Sequence, residues 1–208
     1  MNKLYLVTSE SDCRHHSLAS VIQMAAEGGV GMVQLREKNA STREFIQKGL
    51  LLKTLLKPFN IPLIINDRVD VALAVEAEGV HLGQSDMPVE SARRLLPPNS
   101  IVGLSVESLE EVKEAENLPV DYLGVSPVFG TQTKTDTKIE WGLDGLQHIR
   151  QISKHRLVAI GGISITNAEE VLKAGADDLA LVSAICGVPD PKLATAEFIK
   201  IIKEYAIS

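Results

Sequence analysis

Gln34, Arg36 and Lys38 alternate along one short segment of this sequence. On an extended strand all three side chains therefore project to the same side, two of them as cations. Asp67 and Asp86 follow two later apolar segments. A pair of carboxylates beside cations suits Mg²⁺, which takes one or two carboxylates and fills its remaining positions with water and phosphate oxygens. Ordinary readings stand beside this one. Arg36 and Lys38 could pair with Glu37 or nearby acids, Asp67 could cap a helix beginning at Arg68, and Asp86 could cap the one after Met87-Pro88. No Cys/His spacing of the zinc type is present, and His15-His16 reads as a solvated pair.

Three further groups have the composition of a phosphate site. Gly161-Gly162 lets the backbone come close to an anion, and Val182-Ser183 stands after the last apolar segment. The stretch 130–141 is the longest polar connection; its Thr131, Gln132, Thr133 and Lys134 suit phosphate oxygens, and it reads either as a lid or as a solvent loop. Asn66 and Ser105 also stand at the ends of apolar runs.

The elements that must carry these residues are short apolar runs at 4–7, 32–35, 62–65, 79–82, 101–104, 122–125, 157–160 and 179–182. Such runs, without strict alternation, suit parallel strands covered on both faces. Helical patterns separate them. Leu18, Val21, Ile22 and Ala25 recur at helical spacing before Gly28-Gly29, and Ser41 with Glu44 forms a capping box ahead of Phe45, Leu52, Leu55 and Leu56. Ser108 with Glu111 offers a second box, and Phe198, Ile201, Ile202 and Tyr205 mark the last helix. Eight strand–helix units of about 26 residues each are near the minimum for right-handed parallel crossovers. An open doubly wound sheet usually has five or six strands, so the pattern predicts a single (β/α)8 TIM barrel over residues 1–208. In that fold the loops leaving the strands carry the chemistry and the loops entering them serve stability. The polar residues above all fall at strand exits, whereas Gly79 and Asp177-Asp178, at strand entrances, read as turn chemistry.

Composition narrows the function classes. With 21 basic and 27 acidic residues the net charge is −6, which disfavours a nucleic-acid partner. At 45% apolar and 23% charged residues the chain is of globular type, with no apolar stretch long enough for a membrane span and no leader pattern after Met1. Cys13 and Cys186 are too few for a disulfide scaffold and fit reduced thiols in a cytoplasm.

Together, Gln34-Leu35-Arg36-Glu37-Lys38, Ile65-Asn66-Asp67-Arg68-Val69-Asp70, Gly79-Val80-His81-Leu82-Gly83-Gln84 with Asp86, Thr131-x-Thr133-Lys134, Ala159-Ile160-Gly161-Gly162-Ile163 and Val182-Ser183-Ala184-Ile185 closely resemble the thiamine phosphate synthase family, in order and spacing. The resemblance implies a barrel enzyme that joins hydroxymethylpyrimidine diphosphate to thiazole phosphate, giving thiamine phosphate and pyrophosphate. It implies that Gln34, Arg36, Lys38, Asn66, Ser105 and Lys134 hold the pyrimidine diphosphate, with Arg36, Lys38, Ser105 and Lys134 acting in catalysis. It further implies that Asp67 and Asp86 bind Mg²⁺, and that Thr131, Gln132, Thr133, Gly162, Val182 and Ser183 hold the thiazole phosphate. A homodimer is the family's suggestion.

Two positions depart from the family pattern: Glu107 stands where histidine is common, and Gly130 where proline is frequent. The rival readings are a thiazole tautomerase-like relative, a phosphosugar-type biosynthetic barrel and a ligand-binding regulatory homologue. The tautomerase pattern lacks the paired aspartates and uses the histidine that is Glu107 here. A phosphosugar enzyme leaves Asp67, Asp86 and the cations of the second strand without a role. A regulatory homologue should have lost charged residues that are all present.

Overall fold

A computed structural model of the chain describes residues 4–130 and 140–206; Thr131, Gln132, Thr133 and Lys134 lie outside these. Eight parallel strands close into a barrel in sequence order, the last pairing with the first. They are β1 (Leu4–Thr8), β2 (Met32–Leu35), β3 (Leu63–Asn66), β4 (Gly79–Leu82), β5 (Ile101–Val106), β6 (Tyr122–Val125), β7 (Arg156–Ile160) and β8 (Asp178–Leu181). The expected runs and the strands coincide to within two residues, so Asn66 and Ser105 belong to strands while Val182 lies just beyond one.

Helices α1 (Leu18–Gly28), α2 (Thr42–Leu56), α3 (Val69–Val75), α4 (Val89–Leu95), α5 (Leu109–Ala115), α6 (Gly142–Ile152) and α7 (Ala168–Lys173) alternate with the strands. After β8 come a short α8 (Ser183–Cys186) and then α9 (Pro191–Tyr205). The helix starts are written locally. Ser17 accepts from Ser20 N–H at α1, Asp190 from Leu193 N–H at α9, and Ser41 with Glu44 completes the reciprocal box at α2. At α5 only half of the expected box forms: Ser108 Oγ accepts from Glu111 N–H, but the Glu111 carboxylate turns to Glu107 N–H instead.

One apolar layer lies between strands and helices, including Leu6, Ile22, Leu35, Phe45, Leu52, Leu63, Val102, Leu157 and Phe198. A second, smaller cluster of Tyr5, Val7, Met32, Ile64, Tyr122, Val158 and Ala180 fills the barrel itself. Inward positions therefore alternate with outward ones along each strand, and the interior is packed side chain rather than a pore. At the strands' amino ends Arg156 lies against the buried Asp178, their groups 2.6 Å apart. That corrects the reading of Asp178 as turn chemistry: it starts β8 and points inward, while Asp177 accepts from Leu157 N–H and Arg150 outside. Among the described residues no helix is long and apolar enough to cross a membrane.

Candidate active site

The alternation along β2 delivers its residues as the spacing implied. Gln34, Arg36 and Lys38 all line one cavity of about 380 Å³ at the carboxyl ends of the strands. Asn66, Asp67, Asp86 and Ser105 line the same cavity from β3, the turn after β4 and β5. Gly162, Val182 and Ser183 border a second cavity of about 580 Å³, together with Gly161, Ser11, Asp12 and Arg14. The two cavities adjoin: Val7, Arg36, Ser126, Ile160 and Ala180 face both.

Neither aspartate is a helix cap. Arg68 and Pro88 hold the cap positions of α3 and α4, without side-chain cap bonds. Asp67 sits instead in the left-handed region at φ 62°, uncommon outside glycine, with its N–H donated to His81 O at 2.8 Å. Its carboxylate pairs with the Lys38 ammonium at 2.5 Å. Asp86 folds back to accept from Gly83 N–H at 2.7 Å. The Asp86 carboxyl is pushed upward, first by burial and then by its neighbour Asp67. Two hard oxygen donors held together against their own repulsion are a suitable donor set for a divalent cation that keeps water and phosphate in its other positions. Among the described residues no larger group of His, Cys, Asp or Glu gathers.

The two cations that follow β2 differ in their settings. Lys38 is engaged by Asp67, whereas Arg36 has no ion-pair partner among the described residues and is shared by both cavities. Glu37, between them, points the other way. It accepts from Glu10 N–H at 2.8 Å and from Lys48 at 3.1 Å, which anchors the segment from behind.

Below the charged rim runs a polar chain that the sequence reading did not identify. Ser105 Oγ lies 2.8 Å from His81 Nε2, His81 Nδ1 lies 2.9 Å from Tyr122 OH, and Tyr122 OH lies 2.9 Å from Tyr5 OH. Gln34 Nε2 donates to Tyr5 OH at 2.7 Å, so its amide oxygen is left to the cavity. Burial pushes both phenols upward, so they serve as neutral hydrogen-bonding groups. Glycine makes the room. A Cβ at Gly103 would overlap the Tyr122 ring, and one at Gly124 would sit 2.9 Å from His81 Cε1. The available signal was inward alternation: Tyr5 shares the inward face with Val7, and Tyr122 with Gly124.

Gly161 and Gly162 adopt φ of 103° and 63°, and a Cβ at Gly162 would lie 2.7 Å from Phe129 Cβ. Asn167 Nδ2 donates to Gly162 O at 3.0 Å, fixing the turn so that the glycine backbone borders the second cavity. Ser183 opens α8 beside it. Thr131, Gln132, Thr133 and Lys134 lie outside the described residues.

A closed barrel of eight parallel strands whose carboxyl-end mouth gathers cations, carboxylates and a glycine-lined recess has the form of a (β/α)8 barrel enzyme, with its chemistry on the loops that leave the strands. Residues 4–185 match the family model described as thiamine monophosphate synthase. A thiamine-phosphate synthase of Albidiferax ferrireducens is 57% identical over 200 residues, covering 96% of this chain and 91% of that protein. A solved thiamine phosphate pyrophosphorylase of Pyrococcus furiosus superposes with a TM-score of 0.89 at 44% identity, over 98% of this chain and 96% of that one. An orotidine 5'-phosphate decarboxylase of Pyrococcus horikoshii, 12% identical with a TM-score of 0.69 over 96% and 99% of the two chains, shares the fold alone. The chain belongs to the thiamine monophosphate synthase family and is an enzyme, a transferase of thiamine biosynthesis.

Proposed function

We propose that this enzyme joins hydroxymethylpyrimidine diphosphate to thiazole phosphate and releases pyrophosphate, with both substrates meeting where the two cavities adjoin. That adjacency, with Arg36 facing both, is the observation that carries the reading. Gln34, Asn66 and Ser105 orient the pyrimidine, the Gln34 amide oxygen suiting its exocyclic amine. Arg36, Lys38 and Lys134 hold the diphosphate and neutralise the charge that grows on it as its bond to carbon lengthens. Gly162, Val182 and Ser183, with Thr131, Gln132 and Thr133, hold the thiazole phosphate so that the ring nitrogen faces the carbon left behind.

Asp67 and Asp86 are assigned to Mg²⁺, which when bound supplies further neutralisation of the leaving diphosphate. Lys38 then serves two partners, Asp67 and a diphosphate oxygen. The electron-rich aminopyrimidine supports positive charge at its exocyclic carbon, so no protein nucleophile is required and the substitution is dissociative. The protein's task is positioning and preorganised charge. The enzyme is further assigned to the cytoplasm as a single-domain protein without nucleic-acid or membrane partners, and as a homodimer.

The test is an assay of the purified protein with both substrates and Mg²⁺, following thiamine phosphate and pyrophosphate together. Equimolar formation of both, lost with excess chelator and regained with Mg²⁺, is expected. Pyrophosphate release without coupled product, or turnover indifferent to chelator, overturns the reading.

A further inference from the structure

Two thiols meet at the seam where the barrel closes. Cys13 caps the short 3-10 turn Glu10–Asp12 after β1, and Cys186 ends α8 after β8; β1 and β8 are themselves paired, Tyr5 beside Ala180. Arg14 N–H donates to Cys186 O at 3.4 Å, so the two backbones run alongside each other here. Both side chains converge on one hydroxyl. Cys186 Sγ donates to Thr8 Oγ1 at 3.1 Å, and Cys13 Sγ lies 3.7 Å from the same oxygen. Two thiols from opposite ends of the chain are thus gathered around one hydroxyl, and the proposed reaction uses neither.

Their surroundings divide the labour. Cys186 is fully buried, and its thiol is pushed upward, first by the contact with Cys13 and then by burial. Cys13 is partly exposed, and its thiol is pulled down to about 7, chiefly by its neighbour Cys186. Burial, Asp12 and Glu10 oppose that shift. An accessible, partly ionised thiol beside a buried protonated one has the arrangement of an attacking and a resolving cysteine.

We infer that Cys13 and Cys186 form a peroxide-sensitive pair whose disulfide staples the loop after β1 to α8. The Cys13 thiolate attacks a hydroperoxide oxygen; the O–O bond breaks, leaving Cys13 sulfenic acid and releasing hydroxide. Cys186 sulfur then attacks Cys13 sulfur, the S–O bond breaks, and the departing hydroxyl leaves as water with the Cys186 proton. Two thiols are oxidised and one peroxide is reduced. A dithiol reverses the change by exchange. The staple joins the exits of the first and last strands and encloses most of the chain, so it restricts the unfolded state more than a short loop would.

The test treats the reduced native protein with hydrogen peroxide, then alkylates, digests and weighs the peptides, alongside urea unfolding without reductant. A Cys13–Cys186 linked peptide is expected, with an unfolding midpoint above that of the reduced protein and both effects reversed by dithiothreitol. Cys13→Ser, at the partly exposed position, abolishes the link and the shift. The inference is overturned by linkage only between copies, by Cys13 running on to sulfinic acid while Cys186 stays alkylatable, or by a linked protein whose midpoint is not raised. None of these outcomes depends on the reaction proposed above.

Discussion

Arg36 stands between the two cavities without an acidic partner among the described residues, unlike Lys38, which Asp67 already holds. The proposed function gives this guanidinium the diphosphate as its counter-charge. Arg36→Ala is expected to lower kcat/KM by about 100-fold or more, the usual cost of losing one preorganised charge contact; steady-state kinetics with an unchanged urea midpoint checks it. A second residue-scale expectation concerns the buried polar chain. Tyr122→Phe removes the hydroxyl that joins His81 to Tyr5. The expected loss is about 1–3 kcal/mol of stability from the groups left behind, read by urea unfolding.

At the scale of elements, the turn after β7 depends on two left-handed glycines, one of them packed against Phe129. Gly162→Ala is expected to raise KM for the phosphate-bearing thiazole about tenfold, equivalent to 1.4 kcal/mol, with a smaller change in kcat. The packing between helices gives a pH expectation. Glu116 follows α5 and reaches toward the α6–β7 connection, accepting from Ser153 Oγ at 2.5 Å and Lys154 N–H at 3.2 Å. Burial alone would raise its carboxyl, but these bonds and the nearby His155 hold it below the ordinary value. A depressed carboxylate stabilises the fold above its unfolded pKa of about 4.3 and loses that contribution as pH falls through the folded value. Glu116→Gln should therefore lower the urea midpoint near pH 7, and its difference from the parent should shrink as pH falls through the depressed folded pKa.

The contrast between what was legible and what was not also belongs to elements. Arg36 and Lys38 could be read because they directly follow β2, where the extended chain carries on its period of two, Arg36 N–H still donating to Thr8 O. The residues at the ends of β3, β4, β5 and β8 could be read because parallel strands put successive exits on one rim. Asp178 could not: beside Asp177 it looks like a turn, and the partner that makes burial tolerable, Arg156, comes from the neighbouring strand. Tyr5 and Tyr122 meet across the barrel, 117 residues apart, at a distance that no local spacing encodes. The capping readings of Asp67 and Asp86 differ from the structure for the opposite reason: local propensity favours a cap, but Asp67 turns its carboxylate to Lys38 and Asp86 folds back onto Gly83 N–H.

For the whole molecule, closure of the sheet is what turns scattered strand ends into one site. A ring of parallel strands puts every exit on the same face, and the ion pair of Arg156 with the buried Asp178 lies at the opposite end of the barrel. In the function proposed above this rim holds a diphosphate together with a divalent cation, the two aspartates supplying the protein's share of the coordination. Calorimetric titration of inorganic pyrophosphate into the protein, with and without Mg²⁺, tests it most directly, on the parent and on Asp67→Asn. The account predicts tight binding only when Mg²⁺ is present and loss of that enhancement in the variant, which still folds. Binding of equal strength without Mg²⁺, or an enhancement that survives in Asp67→Asn, would contradict it.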